Sequence, residues 1–147
     1  MNSQETVQAL MDAVQKGDYD KAKILLSDDF QFKGLIRRPI NGRTWLKMIA
    51  SLRMAFNGLN YHFKVDSAHG NIVNTTSQMS GNNRGAFDLT GLNMGVISAT
   101  NRDFSTPTEK IKVTVRDNKV SSWVVEPTEG AGLTAILKQL GVKLSKV

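Results

Sequence analysis

One carboxylate closes an apolar run in this sequence. Glu126 follows Val120-Ser-Ser-Trp-Val-Val125, and a carboxyl group held in an apolar hollow can serve as base and then as acid. Glu126 is one carboxylate that such a hollow could hold. It shares strand parity with Val120 and Val124 and faces the hollow if they do. If Trp123 and Val125 face inward instead, Glu126 is a solvated strand end. Both faces of this strand are apolar, so parity alone leaves both readings open. Asn83 and Gln78 are amides that could orient a ligand carbonyl, or could equally be ordinary sheet and turn amides. Trp45, Phe56, Tyr61 and Trp123 could line a pocket for a flat ligand, or simply fill the core. His62 alternates against Tyr61 and Phe63 and should point to the opposite sheet face, while His69 should sit exposed in a turn.

Other chemistries are excluded by what is missing. The chain has no cysteine and only two histidines, so thiolate nucleophiles, disulfides, thiolate zinc sites and histidine-rich metal sites are not expected. No serine-nucleophile motif, phosphate loop or dinucleotide fingerprint occurs. No metal site of these kinds is expected.

Several elements must position these residues. Val7, Leu10, Met11 and Val14 predict a helix over Glu5–Lys16, with Ser3 as N-cap and Gly17 as stop. Asp18 caps a second helix reaching Leu26, Ser27-Asp-Asp29 turns, and Phe30 and Phe32 mark a short strand. Trp45, Met48, Ile49, Leu52 and Phe56 predict a third helix, stopped by Gly58. The period then changes to two. Strands are predicted over Tyr61–Asp66, Ile72–Met79, Ile111–Val115 and Val120–Glu126. Gly81–Asp88 should continue or bend the sheet, and Gly91–Thr106 should be a strand with an irregular lead-in. Asp117-Asn118 is a turn, and Gly132–Leu140 a last helix ending at Gly141.

Helices segregated from antiparallel strands imply an α+β domain, a curved sheet with helices on one face enclosing a hollow. The length of 147 residues fits a single domain over 1–147. Composition agrees, with 40% hydrophobic and 22% charged residues. No apolar run is long enough for a membrane span and no leader is visible, so a cytoplasmic protein is expected. The net charge of +6 comes from scattered cations, among them Arg37, Arg38, Lys110, Lys112, Lys143 and Lys146. That pattern reads as a solvated basic surface rather than a nucleic-acid site.

The order of elements resembles the nuclear-transport-factor-2-like (cystatin-like) fold, and the second half is similar to the SnoaL-like polyketide cyclase family. Gly81-Asn-Asn-Arg-Gly-Ala-Phe87 stands where that family has a Gly-Thr-His stretch, and Thr100-Asn-Arg102 where it has Thr-Gly-Arg. Asp117-Asn-Lys-Val120 and Gln139-Leu-Gly141 match its hairpin and tail. Asn83 replaces the family's histidine, and strict spacing puts Thr128 at its acid–base aspartate, with Glu126 and Glu129 the nearest carboxylates. The resemblance implies cofactor-free cyclisation or isomerisation of a hydrophobic carbonyl compound, with Glu126 as base. It implies a homodimer paired through the sheet's outer face, which the apolar residues on both sides of the last strand would suit. The other reading is a ligand-binding or interaction module that has lost the acid–base residues.

Overall fold

The structure is a computed structural model and describes residues 1–34, 38–92 and 94–142. Arg37, Lys143 and Lys146 of the basic surface, and Asn93 of the irregular stretch, lie outside the described residues.

Three helices open the chain. Helix α1 (Ser3–Lys16) is capped by Asn2, not by Ser3 as expected. The Asn2 side chain accepts from Glu5 N and Glu5 reaches back to Asn2 N, a capping box that satisfies two orphan donors. Gly17 ends the helix in the left-handed conformation. Helix α2 (Tyr19–Leu25) is capped by Asp18 as expected, and α3 (Gly42–Ala55) by the Asn41 side chain. Helix α4 (Leu133–Gln139) comes near the end of the chain.

The strands are β1 (Leu26–Lys33), β2 (Ile40–Asn41), β3 (Asn57–Asn60), β4 (Lys64–His69), β5 (Ile72–Ser77), β6 (Ser80–Asn82), β7 (Phe87–Asp88), β8 (Val96–Ile97), β9 (Asp103–Ser105), β10 (Glu109–Arg116) and β11 (Lys119–Val125). The main sheet is curved and unclosed, in the order β2-β1-β11-β10-β5-β4. Its pairs are antiparallel except β1 with β11. The expected turn at Ser27-Asp-Asp29 is instead a register irregularity inside β1, between Leu26 and Gln31. The expected strand over Tyr61–Asp66 is also corrected. His62 takes a positive φ of 44° and breaks it, so β3 joins a separate small sheet, β3-β6-β9, and β4 starts at Lys64. His62 lies exposed, its Nδ1 2.6 Å from Gln78 O.

Asp117 and Asn118, both left-handed, turn β10 into β11. The register then slips: Val115 pairs with Val120 but Thr114 pairs with Ser122, which leaves Ser121 as an extra residue. This is a β-bulge, and Ser121 Oγ donates to Thr114 O at 3.3 Å. Val120 is therefore buried on the same face as Trp123.

The helices cover one face of the main sheet, where Phe30, Val73, Val113, Val120 and Trp123 meet Val7, Leu10, Ile49 and Leu137 in one core. The opposite face, expected to be apolar, carries exposed lysines in cross-strand rows: Lys33–Val124–Lys112 and Lys110–Thr76–Lys64. Among the described residues no helix is long and apolar enough to cross a membrane.

Gly34 lets β1 end tightly against β11. It has φ +117°, and a Cβ there would sit 2.6 Å from Val125 Cβ and 2.8 Å from Val125 O. Gly34→Ala is expected to cost about 2 kcal/mol or more, from backbone strain and overlap together. Urea denaturation would measure it, and a loss under about 0.5 kcal/mol would show that β1 moves aside freely.

Candidate functional site

Aromatic side chains from four elements meet where α3 crosses the sheet. Trp45 on α3 packs against Phe32 on β1 (ring centroids 5.8 Å, stacked) and against Trp123 on β11 (5.4 Å). Trp123 meets Phe63 edge-on at 5.6 Å, and Phe63 stacks on Tyr61 at 4.9 Å with the planes 4° apart. The five rings form one wall of a cavity. Met48 and Leu52 of α3, Ile111 and Val125 of the sheet, and Leu133 and Ile136 of α4 supply much of the remainder. About 80 Å³ inside is open to the centres of water-sized molecules.

Few polar groups reach this cavity. Ser77 Oγ donates to Tyr61 O at 2.7 Å and is thereby occupied. The Tyr61 phenol is buried, which pushes its pKa well above the ordinary tyrosine range; the neighbouring Tyr19 raises it further, while Arg53 opposes the shift. Among the described residues the remaining ionisable group is Glu109, at the first position of β10 and directly across the ladder from Ser77. Paired residues project to the same face, so both side chains turn toward the hollow. Glu109 is half-buried, and burial alone raises its pKa above the usual carboxylate value; no hydrogen bond or charge among the described residues offsets it. It is a carboxyl group poised to carry a proton into an apolar space.

The structure assembles only part of the set expected from sequence. Trp45, Tyr61 and Trp123 line the cavity. Phe56 does not: it is buried against Phe87 and Phe104, ring centroids 5.3 and 4.5 Å away. Gln78 lies outside too, its Nε2 donating to Met79 O and Thr106 O at 3.0 Å each. Asn83 is fully buried and saturated. Its Nδ2 donates to Ala55 O (3.2 Å) and Gly85 O (2.9 Å), and its Oδ1 accepts from Thr100 N and Oγ1 at 2.9 Å each. No capacity is left for a ligand. Glu126 takes the second of its two expected placements, the strand end. It is exposed just past the end of β11 and does not line the cavity. The bulge at Ser121 is the reason: it breaks strict alternation, so Trp123 and Val125 turn inward with Val120, and Glu126 turns out.

Glu109 was not among the expected site residues, although its signal was present. It has the parity of Ile111, Val113 and Val115, all buried, and β10 carries no bulge on this side.

Models of known protein families and curated protein sequences give no match to this chain. Solved structures do. A protein of Xanthomonas campestris pv. campestris assigned as a polyketide cyclase superposes with a TM-score of 0.71 at 17% identity, over 94% of this chain and 96% of that one. A protein of Jannaschia sp. CCS1 assigned as a SnoaL-like polyketide cyclase gives 0.71 at 18% identity, over 97% and 93%. An LEH-like epoxide hydrolase of M. tuberculosis gives 0.62 at 16%, over 95% and 92%. The chain has the SnoaL-like, nuclear-transport-factor-2-like fold. At these identities the likeness establishes the fold, and the chemistry has to be argued from the cavity.

Proposed function

We propose that this protein is a small-molecule pocket enzyme that moves a proton on a hydrophobic carbonyl compound without a cofactor, with Glu109 in the role first given to Glu126. The observation that supports this reading is the carboxyl of Glu109, without a partner among the described residues, on the wall of a largely apolar, aromatic cavity. Glu109 takes a proton from the carbon beside the carbonyl, and the electron pair moves onto the carbonyl oxygen as an enolate. The same carboxyl returns the proton, to that carbon or to its neighbour in a conjugated system. Burial suits both halves of the cycle, because it brings the carboxyl pKa nearer to neutrality. The aromatic wall holds a flat ligand and keeps water from the enolate.

The test is hydrogen–deuterium exchange at the α-carbon of 2-tetralone in D₂O, followed by mass spectrometry. Wild type should accelerate exchange and Glu109→Gln should not, whereas Glu126→Gln should behave as wild type. Equal acceleration by all three would remove Glu109 from the reaction.

A homodimer belongs to the same reading. Lysines on the outer sheet face would repel across a two-fold axis, so pairing through that face should strengthen as salt screens them. Light scattering at about 20 mM and 500 mM salt would read this, with a Debye length falling from roughly 20 Å to about 4 Å. Dimers that weaken with salt would place the contact elsewhere.

A further inference from the structure

We infer that Asn57 is a site of spontaneous modification, converting through a succinimide to aspartate and isoaspartate while the protein is folded. The inference is independent of the cavity, which Asn57 does not line.

Two asparagines in the chain are followed by glycine, Asn41-Gly42 and Asn57-Gly58. Glycine favours the reaction, because no Cβ restricts the backbone nitrogen that must attack. The glycine nitrogen adds to the asparagine Cγ. A C–N bond forms, the side-chain nitrogen leaves as ammonia with the glycine amide proton, and a five-membered succinimide remains. Water then opens the ring at either carbonyl. One product is aspartate, and the other is isoaspartate, whose chain runs through Cγ. Either product adds one negative charge.

The fold treats the two pairs differently. Asn41 caps α3, and its Oδ1 accepts from Thr44 N at 2.9 Å, which holds the side-chain carbonyl over the helix end. Gly42 is already the first residue of that helix and lies against β1, where a Cβ would meet Leu26 Cδ1 at 3.2 Å and Phe30 Cδ2 at 3.5 Å. Bringing Gly42 N onto Asn41 Cγ breaks the cap and displaces the first turn from β1.

Asn57 has no such restraint. It is exposed, and among the described residues its side chain makes no hydrogen bond. Gly58 is exposed too, with φ +66°, and a Cβ there would meet nothing within 4 Å. The ladder between β3 and β6 is interrupted at this point. Asn57 pairs with Asn82 and Asn60 with Ser80, so three steps on β3 oppose two on β6 and one residue is extra. A left-handed glycine in such a bulge sits where the ladder is locally disrupted. Strand β3 is also at the edge of its sheet, in the order β3-β6-β9. The backbone can therefore fold back on the Asn57 side chain without giving up a helix cap or a packed contact.

The full chain would be incubated at mildly alkaline pH, folded and in guanidinium chloride. Peptide mapping by tandem mass spectrometry would follow both asparagines, since each conversion raises the mass by the difference between water and ammonia. In the folded protein Asn57 should convert at least tenfold faster than Asn41. In denaturant the two rates should come within a few-fold of each other. Equal rates in the folded protein, or a gap just as wide in denaturant, would overturn the inference, because the fold would not be selecting the site. An Asn57 that stays intact when folded and converts only when unfolded would overturn it too, by showing the bulge to be rigid. Isoelectric focusing gives a second reading, because each event lowers the net charge of +6 by one. The first acidic band should be missing from Asn57→Gln, whose longer side chain must close a slower six-membered ring. A band that forms in this variant as fast as in wild type places the modification elsewhere.

Discussion

Glu109→Gln is expected to reduce α-proton exchange by about 10²–10⁴-fold, the usual contribution of a positioned general acid–base, and at the same time to raise thermal stability at pH 7. The two effects share one cause. In the unfolded chain Glu109 titrates near 4.3. In the folded protein burial raises that value, so the native state holds its proton to higher pH than the unfolded state does. Between the two values the native state binds more protons, and stability falls as pH rises through this window. Below it both states are protonated and nothing is lost. Glutamine has no proton to lose. Melting curves of wild type and Glu109→Gln should therefore lie closest near pH 4 and diverge toward neutrality, with the variant the more stable. A wild type that gains stability over the variant as pH rises would mean that the carboxylate has a hidden cationic partner. Stability given up at a working carboxyl is a familiar trade in enzymes.

Asn83→Ala is expected to cost about 3–5 kcal/mol, a large share of the roughly 5–15 kcal/mol that holds a domain together. The substitution removes a fully buried side chain with four hydrogen bonds and strands Thr100 N and Oγ1 without their acceptor. Its backbone also bonds Arg102 O and Asn101 N, so one residue ties the end of α3, the Gly85 turn and the Thr100 loop together. Gly85 tightens the same knot: a Cβ there would run into the Met54 carbonyl. The adjacent Asn82→Ala is the control. Among the described residues Asn82 donates only to Asn101 O and Asp103, and its Oδ1 is buried without a partner, so its loss should stay within about 1 kcal/mol. Equal losses at both positions, measured by urea denaturation, would show that Asn83 does not pin these segments.

The contrast between Asn83 and Glu109 shows how far the sequence could be read. The α+β arrangement was legible because apolar spacings of three, four and two are direct consequences of helix and strand geometry. Trp45, Met48, Ile49 and Leu52 did line one helix face, and Ile111, Val113 and Val115 one sheet face. What stayed illegible was whatever depends on a single inserted residue or on partners distant in sequence. The parity of Glu126 was open between Val120 and Trp123, and the extra residue Ser121 decides it. Asn83 stood where a ligand-facing side chain was expected, but its partners lie 28 residues before it and 17 after it, beyond any local pattern. Glu109 needed only the step of two back from Ile111.

The one parallel pairing in the sheet also sets a timetable. Strand β1 lies between β2 and β11, and β11 emerges from the ribosome roughly ninety residues after it. At about 5–20 residues per second the delay is on the order of 5–18 seconds. Through that interval α1, α2 and α3 can form, but Phe30 and Phe32 have no sheet to join, and β1 offers β11's future place to any strand nearby. The whole amino-terminal third thus waits on the last strand of the chain. Truncations before Lys119, or slow translation of the second half, should prolong exposure of a sticky edge.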